Sequence, residues 1–370
     1  MKAIVQKRYG QVELAEAPEP DCGRGYVRVE VRAASVNARD WHMMRGDPYL
    51  ARLLMMGVRR PRTTIRGTDF AGVVTEVGPG VDRYRPGDEV FGDLGNAHGA
   101  FAAYVCAPAG DIEFKPANLS FEQAAALPLA GSTALMGLRD VGRLRPGQRV
   151  LINGASGGVG TYAVQIAKAL GATVTAVCST RNVPLVRSLG ADEVIDYTVQ
   201  DFARPRSAPV IPSSSAPASS APSSSAPAAS SAVASAAASS VGSPSVSSAA
   251  GPFDVVFDLV GNRSLGDLRR VLAPGGIVVL SGGGTFRGRP SVIGPLRLIM
   301  GAQISARFSR RRTVVLEVPP SRTLLAGLRE LVEAGRVTPV IDRTYRLDEV
   351  PEAIRYMESE HARAKVVITV

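Results

Sequence analysis

The sequence predicts an α/β chain in which a doubly wound parallel sheet is joined to an irregular β domain. Three observations predict it. A βαβ unit with a glycine-rich turn occupies residues 147–182, and strands running into glycine turns recur at 253–261 and 275–283. Residues 1–125 instead break into short β-rich runs, separated by turn signals such as Gly78-Pro79 and Pro86-Gly87.

The βαβ unit carries the most chemistry. Arg149 to Asn153 is a short apolar run, the length of a buried parallel strand. Four glycines follow within seven residues, at Gly154, Gly157, Gly158 and Gly160. Val159, Tyr162, Ala163, Ile166, Ala167 and Leu170 then fall three and four apart, one face of a helix. Gly171 stops that helix, and Thr173 to Cys178 is a second β-rich run. In this context the turn reads as a cradle for a dinucleotide pyrophosphate: glycines admit the phosphates close to the backbone, and the helix N-terminus presents free amides and a partial positive charge. The expected cofactor-binding residues are Gly154, Ser156, Gly157, Gly158, Val159 and Gly160. Ligands of a doubly wound (Rossmann) sheet sit beyond the carboxyl ends of its strands, which adds Val260, Gly261, Ser281 and Gly282.

Charge at the end of the second strand selects the cofactor. An acidic residue there holds the ribose hydroxyls of NAD, whereas a basic one accommodates a 2′-phosphate. The strand ends Cys178-Ser179-Thr180-Arg181-Asn182, and no Asp or Glu occurs between Gly154 and Asp192. Ser179 and Arg181 therefore point to NADPH.

Composition narrows the class. The chain has 370 residues, 45% of them hydrophobic, enough for two domains with real cores. Met1 to Arg8 lacks the apolar core of a signal peptide, and no run is long and apolar enough to span a membrane, so a cytoplasmic protein is expected. Three scattered cysteines, Cys22, Cys106 and Cys178, offer no disulfide framework or zinc knuckle. The net charge of +10 rests on arginine: 5 of the 43 basic residues are lysine and 38 are arginine. The densest groups, Arg59-Arg60 with Arg62 and Arg310-Arg311-Arg312, have no interleaved aromatics. They read as solvated surface rather than a specific nucleic-acid site.

The order of residues around the turn, with Gly147-Gln148, Leu151, Ala155-Ser156-Gly157-Gly158, Gly160, Gln165 and Lys168, resembles the quinone-oxidoreductase (zeta-crystallin-like) branch of the medium-chain dehydrogenase/reductases. Gly67-Thr68-Asp69-Phe70-Ala71-Gly72-Val73-Val74, Pro86-Gly87-Asp88-Glu89-Val90 and Gly99-Ala100-Phe101-Ala102-Ala103-Tyr104-Val105 resemble the GroES-like catalytic domain of that superfamily. The resemblance implies a GroES-like domain over 1–125, an NADP-binding Rossmann domain over 126–318, and a segment, 319–370, returning to the catalytic domain. It places Thr133 beside the nicotinamide, although Ser132 and Thr133 also read as caps of a helix running to Val141. Residues 207–250, almost wholly Ala, Ser and Pro with no charge and no aromatic, interrupt the resemblance and are expected to be a disordered insertion.

Zinc-dependent relatives hold a metal through cysteine, histidine and acidic ligands. The corresponding positions here are Asn37 and Thr68-Asp69, and the three histidines, His42, His98 and His361, lack ligand spacing, so no metal is expected. Hydride from the cofactor then needs an acceptor that is already electrophilic, a quinone or an α,β-unsaturated carbonyl. Asn37 is the candidate orienting donor, His42 a candidate proton source and Tyr49 a third candidate. A homodimer acting on such a small molecule, without membrane or specific nucleic-acid partner, is the expected assembly. The alternatives are an NAD(P)-dependent alcohol dehydrogenase and a non-catalytic, nucleic-acid-associated NADPH-binding protein.

Overall fold

The computed structural model describes residues 1–47, 52, 57–203, 252–282, 312–359 and 362–370. Within them Val27, Val29 and Val31 are buried between the more exposed Arg28, Glu30 and Arg32, the period of two that makes a strand with one inward face. Around that strand the N-terminal domain assembles. Strands β1 (Lys2–Arg8) and β2 (Gln11–Glu16) form an antiparallel hairpin. They are followed by β3 (Tyr26–Val36), helix α1 (Ala38–Arg45), β4 (Asp69–Val77), β5 (Glu89–Asp93), β6 (Tyr104–Pro108) and β7 (Ile112–Phe114). Strand β6 begins only at Tyr104. Phe101 and Ala102, both fully buried, tie to the first strand instead: the Ile4 N–H donates to the Phe101 carbonyl at 2.8 Å.

Helices α2 (Phe121–Ala125) and α3 (Pro128–Leu135) lead into the second domain, α3 continuing as a π-helical turn over Met136–Val141. Pro128 opens α3, so Ser132 and Thr133 lie inside the helix and do not cap it. The Thr133 hydroxyl donates back to the Leu129 carbonyl at 2.6 Å. Then come β8 (Arg149–Asn153), α4 (Gly158–Ala169), β9 (Thr173–Cys178), α5 (Val183–Ser188), β10 (Glu193–Asp196), β11 (Phe253–Asp258), α6 (Leu265–Arg270), β12 (Leu272–Leu280) and β13 (Arg312–Val315). The six strands are parallel in the order β10-β9-β8-β11-β12-β13, the doubly wound order with its switch point beside β8. The last strand stops at Val315, ahead of Pro319-Pro320.

Helix α7 (Arg322–Glu333) buries Leu324, Leu325, Leu328 and Val332 on one stripe. After β14 (Ile341–Arg346) and α8 (Val350–Ser359), β15 (Lys365–Thr369) pairs antiparallel with β3. The second large sheet therefore runs β14-β15-β3-β4-β5-β7, with β6 also on β3. One apolar core joins the two domains: Ala33, Ala71 and Phe91 pack in the same cluster as Ala130, Tyr162 and Leu328. No described helix is long and apolar enough to cross a membrane. Arg59, Arg60, Arg62 and Arg312 are exposed. Tyr49, His361, Arg310, Arg311 and the 207–250 insertion lie outside the described residues.

Candidate active site

The glycine turn has the geometry of an anion cradle. Gly154, at a φ of +91°, bends the chain out of β8, and a side chain there would strike Val260. At Gly160 an added Cβ would lie 2.2 Å from the Gly154 carbonyl oxygen, so only glycine lets α4 pack onto the strand. Gly157 differs: a Cβ there meets no protein atom closer than 3.5 Å. That position is left open towards the cleft rather than filled by the fold. Gly158, Val159 and Gly160 form the first turn of α4, whose amides have no acceptor one turn back within the helix.

The far end of the cradle is held by a residue outside the sequence-based set. Asn182 is buried, and its Nδ2 donates to Ser156 Oγ at 2.9 Å and to Ser179 Oγ at 3.2 Å, fastening the glycine turn to the end of β9. Arg181 beside it is exposed. Asp196, opposite Cys178 on the neighbouring strand, commits its carboxylate to the Thr198 amide and hydroxyl at 2.9 and 2.7 Å. On the other side of β8, Asp258 Oδ1 accepts from the Val260 and Gly261 amides, both at 3.1 Å, and from Asn153 Nδ2 at 2.8 Å. This shapes the turn in which Gly261 takes a φ of +69°. The Ser281 amide donates to the Asp258 carbonyl at 2.9 Å. Gly282, with φ +124°, passes so close to Leu259 that a side chain would meet its carbonyl at 2.6 Å. All these turns lie at carboxyl ends of strands β8, β9, β11 and β12.

The facing wall is built from the N-terminal domain and β15. Asn37 caps α1: its backbone N–H donates to Asp40 Oδ2 at 2.9 Å, its Nδ2 to Thr68 Oγ1 at 3.3 Å, and its Oδ1 accepts from Lys365 Nζ at 2.6 Å. Asp69 is 0% exposed. Its Oδ2 accepts from Ser35 Oγ at 3.3 Å and from the Leu129 amide in the first turn of α3 at 3.2 Å, and it lies 3.5 Å from Lys365 Nζ. Asp93 (4% exposed) accepts from the Gly95 amide at 2.8 Å and faces Arg39 at 3.7 Å. Burial pushes the carboxyl of Asp40 up to about 7 and that of Asp93 up to about 6, with the charge of Asp69 adding to both. Burial also lowers Lys365 below the usual lysine range, against the pull of the surrounding carboxylates.

His42 stands on α1, its ring 4.4 Å from that of Trp41, edge to face. Burial lowers its pKa, which leaves a neutral imidazole at pH 7 and weakens it as a proton source. The other described histidine, His98, is buried with its Nδ1 3.9 Å from Asp40 Oδ1, and its pKa is lowered to about 4, chiefly by desolvation.

With fold and site in hand, comparison with known proteins places the chain. Residues 23–117 match the alcohol dehydrogenase GroES-like domain, and residues 233–368 match the zinc-binding dehydrogenase family model. A chloroplastic quinone oxidoreductase, QR1, of Triphysaria versicolor is 30% identical over 100% of this chain and 98% of its own. This chain belongs to the medium-chain dehydrogenase/reductase superfamily. Within it, the chain falls in the zinc-independent, quinone-oxidoreductase-like branch. A 2-methylene-furan-3-one reductase of Solanum lycopersicum is 30% identical over 100% of this chain and 79% of its own. The solved quinone oxidoreductase of Coxiella burnetii superposes with a TM-score of 0.74 at 30% identity, covering 100% of this chain and 99% of that one.

The medium-chain reductase site does not fit the zinc in the name of the second family model. Asn37, Thr68 and Asp69 supply oxygen donors without thiolate or imidazole, and the amide of Asn37 is engaged at both ends. The positive charge beside Asp69 is the ammonium of Lys365. Among the described residues no group of three or more His, Cys, Asp or Glu side chains is arranged to hold a metal ion.

Sequence reading named the glycine turn, Asn37 and His42, and the structure brings the turn and Asn37 to one cleft through Lys365. It missed Asp40, Asp69, Asp93, Asn153, Asn182, Asp258 and Lys365. Asp69 and Lys365 had a signal available, since each is a charge that opens a largely apolar strand.

Proposed function

We propose that this medium-chain reductase transfers hydride from NADPH to a quinone or an α,β-unsaturated carbonyl without a metal. The observation carrying the reading is the pairing of an open glycine cradle with a facing wall whose cation is Lys365. Bound NADPH would supply the hydride. The amides of Gly158, Val159 and Gly160 would hold its pyrophosphate, Ser179 and Arg181 its 2′-phosphate, and the turns at Val260-Gly261 and Ser281-Gly282 would line the nicotinamide half, beside Thr133. Asn37 would orient the acceptor and donate from Nδ2 to the oxygen on which negative charge develops. A fixed dipole in a site shielded from water substitutes for the polarisation that a zinc ion gives an alcohol or a simple aldehyde. The quinone and enone relatives, 30% identical over the whole of this chain, support that acceptor class.

The test is oxidation of NADPH and of NADH, followed by absorbance, over a panel of quinones, enals and saturated aldehydes. NADPH consumption with quinones or enals, little with saturated aldehydes, is expected. Oxidation of alcohols with NAD and no reduction of either conjugated class would replace this reading with that of an alcohol dehydrogenase.

A further inference from the structure

Resting on that reading, we propose that Lys365 is the positioning residue of the site: it couples the glycine turn to Asn37 and sets which end of the Asn37 amide faces the acceptor. Lys365 begins β15, its own N–H donating to the Val340 carbonyl at 3.1 Å, and the residue before it is fastened to the other domain. Ala364, at a left-handed φ of +57°, donates its N–H to the Ser156 carbonyl at 2.8 Å and bridges Gly157. The lysine stem then passes Gly158, where an added Cβ would lie 3.2 Å from Lys365 Cδ. The ammonium ends among three acceptors: Asn37 Oδ1 at 2.6 Å, the Val36 carbonyl at 3.5 Å and Asp69 Oδ2 at 3.5 Å. It is 2% exposed, and the three N–H groups of an ammonium match these three oxygens in number.

An asparagine amide has two ends of nearly equal size, one donor and one acceptor. An ammonium only donates, so the short charge-assisted contact selects Oδ1 and turns Nδ2 away from the lysine. Nδ2 is then left with a long 3.3 Å contact to Thr68 Oγ1, a hydroxyl that itself lies 3.3 Å from Asp69 Oδ1. That contact is the longest of those Asn37 makes and the one an acceptor oxygen can replace. Without the ammonium, both amide orientations are open. A lysine that only neutralised Asp69, or only reached a cofactor phosphate, would leave Asn37 unaffected, so the three roles are separable.

The experiment uses the full-length chain and the Lys365→Met variant, whose stem keeps the packing at Gly158. Because that variant strands Asp69 in the core, Lys365→Met/Asp69→Asn is made beside it as a charge-neutral pair. Three quantities are read: kcat with NADPH and 1,4-benzoquinone, the NADPH Kd from energy transfer out of Trp41, the single tryptophan, and solvent exchange of the Asn37 side-chain amide by ¹⁵N NMR without cofactor. The neutral pair should lose about 100-fold in kcat and keep its NADPH Kd within about threefold. Its Asn37 amide should exchange faster than in the wild type. In an Asn37→Ala background the same change should cost no more than about twofold further. Recovery of kcat in the neutral pair would show simple charge balance, and a weakened Kd with kcat kept would show a phosphate contact. Additive losses with Asn37→Ala would show independence from Asn37. Each outcome overturns the proposal. If none of the acceptors tested supports oxidation of NADPH by the wild type, the functional reading fails on its own, and the amide exchange alone then decides the role of Lys365.

Discussion

The two walls of the cleft are built on opposite electrostatic principles. The wall from the parallel sheet presents backbone amides and glycines between apolar strands, and its polar side chains, Asn153, Asp258 and Asn182, serve to shape turns. The facing wall buries three carboxylates, Asp40, Asp69 and Asp93, with one lysine, and leaves their balance to ion pairs and raised pKa values. A backbone wall suits a ligand that brings its own charge, as a pyrophosphate does. A wall of opposed charges suits orientation of a neutral molecule while charge develops on it. Lys365 and its neighbour Ala364 touch both, so the difference is bridged by one residue pair at the start of β15.

Substitutions that separate the fold of the first wall from its ligand sharpen the comparison most. Gly160→Ala forces a methyl against the Gly154 carbonyl and should cost about 3 kcal/mol of stability in denaturant melts. Gly157→Ala, in the open position, should melt like the wild type and lose NADPH binding by about tenfold or more by calorimetry. If both variants simply unfold, the open position is structural and the cradle argument fails. Next in size is Arg181→Ala, which should weaken NADPH by about 2–3 kcal/mol and leave NADH nearly unchanged. The ratio of kcat/KM for the two cofactors, at one ionic strength because salt screens the contact, reads it directly. Equal losses for both cofactors would make the arginine a structural residue.

The second wall is probed by pH. The Asp40 carboxyl, raised to about 7, keeps its proton in the folded chain where the unfolded chain has lost it. The folded state therefore binds more protons between about pH 4 and 7, and stability falls as pH rises through that window before levelling. Asp93, raised to about 6, adds a slope of the same sign. Asp40→Asn should match the wild type near pH 4 and exceed it at pH 8, on the order of 2 kcal/mol. Thermal melts across that range that show a stability rising with pH in the wild type would contradict the buried-acid account. The smallest effect belongs to the insertion. Replacing residues 207–250 by a short Gly/Ser loop should change stability by less than about 0.5 kcal/mol and preserve turnover. A larger loss would mean that the segment docks.

Legibility followed the same division. The first wall was readable because its parts are contiguous: Gly154 to Gly160 lie between a strand and a helix whose apolar spacing announces them. Its omissions, Asn153, Asn182 and Asp258, are single polar residues at strand ends and in a turn, which local pattern cannot tell from solvated ones. The second wall was largely hidden, because Asn37, Asp69, Asp93 and Lys365 come from four separate elements and meet only when β15 returns beside β3. The helix-cap reading of Ser132 and Thr133 failed for a local reason, as Pro128 starts α3 a turn earlier. The N-terminal hairpin went unread because β2 exposes four of its six residues and lacks a clean alternation.

The central claim, conjugate reduction without a metal, is tested most directly by following the hydride. Chelator-treated protein is incubated with NADPH deuterated at the transferable position and an α,β-unsaturated aldehyde, and the product is analysed by NMR. Deuterium at the β-carbon of a saturated aldehyde, with a solvent proton at the α-carbon and a rate unaltered by chelation, is the result the account predicts. Deuterium on the carbonyl carbon of an unsaturated alcohol, formed at a rate that zinc restores, would contradict it.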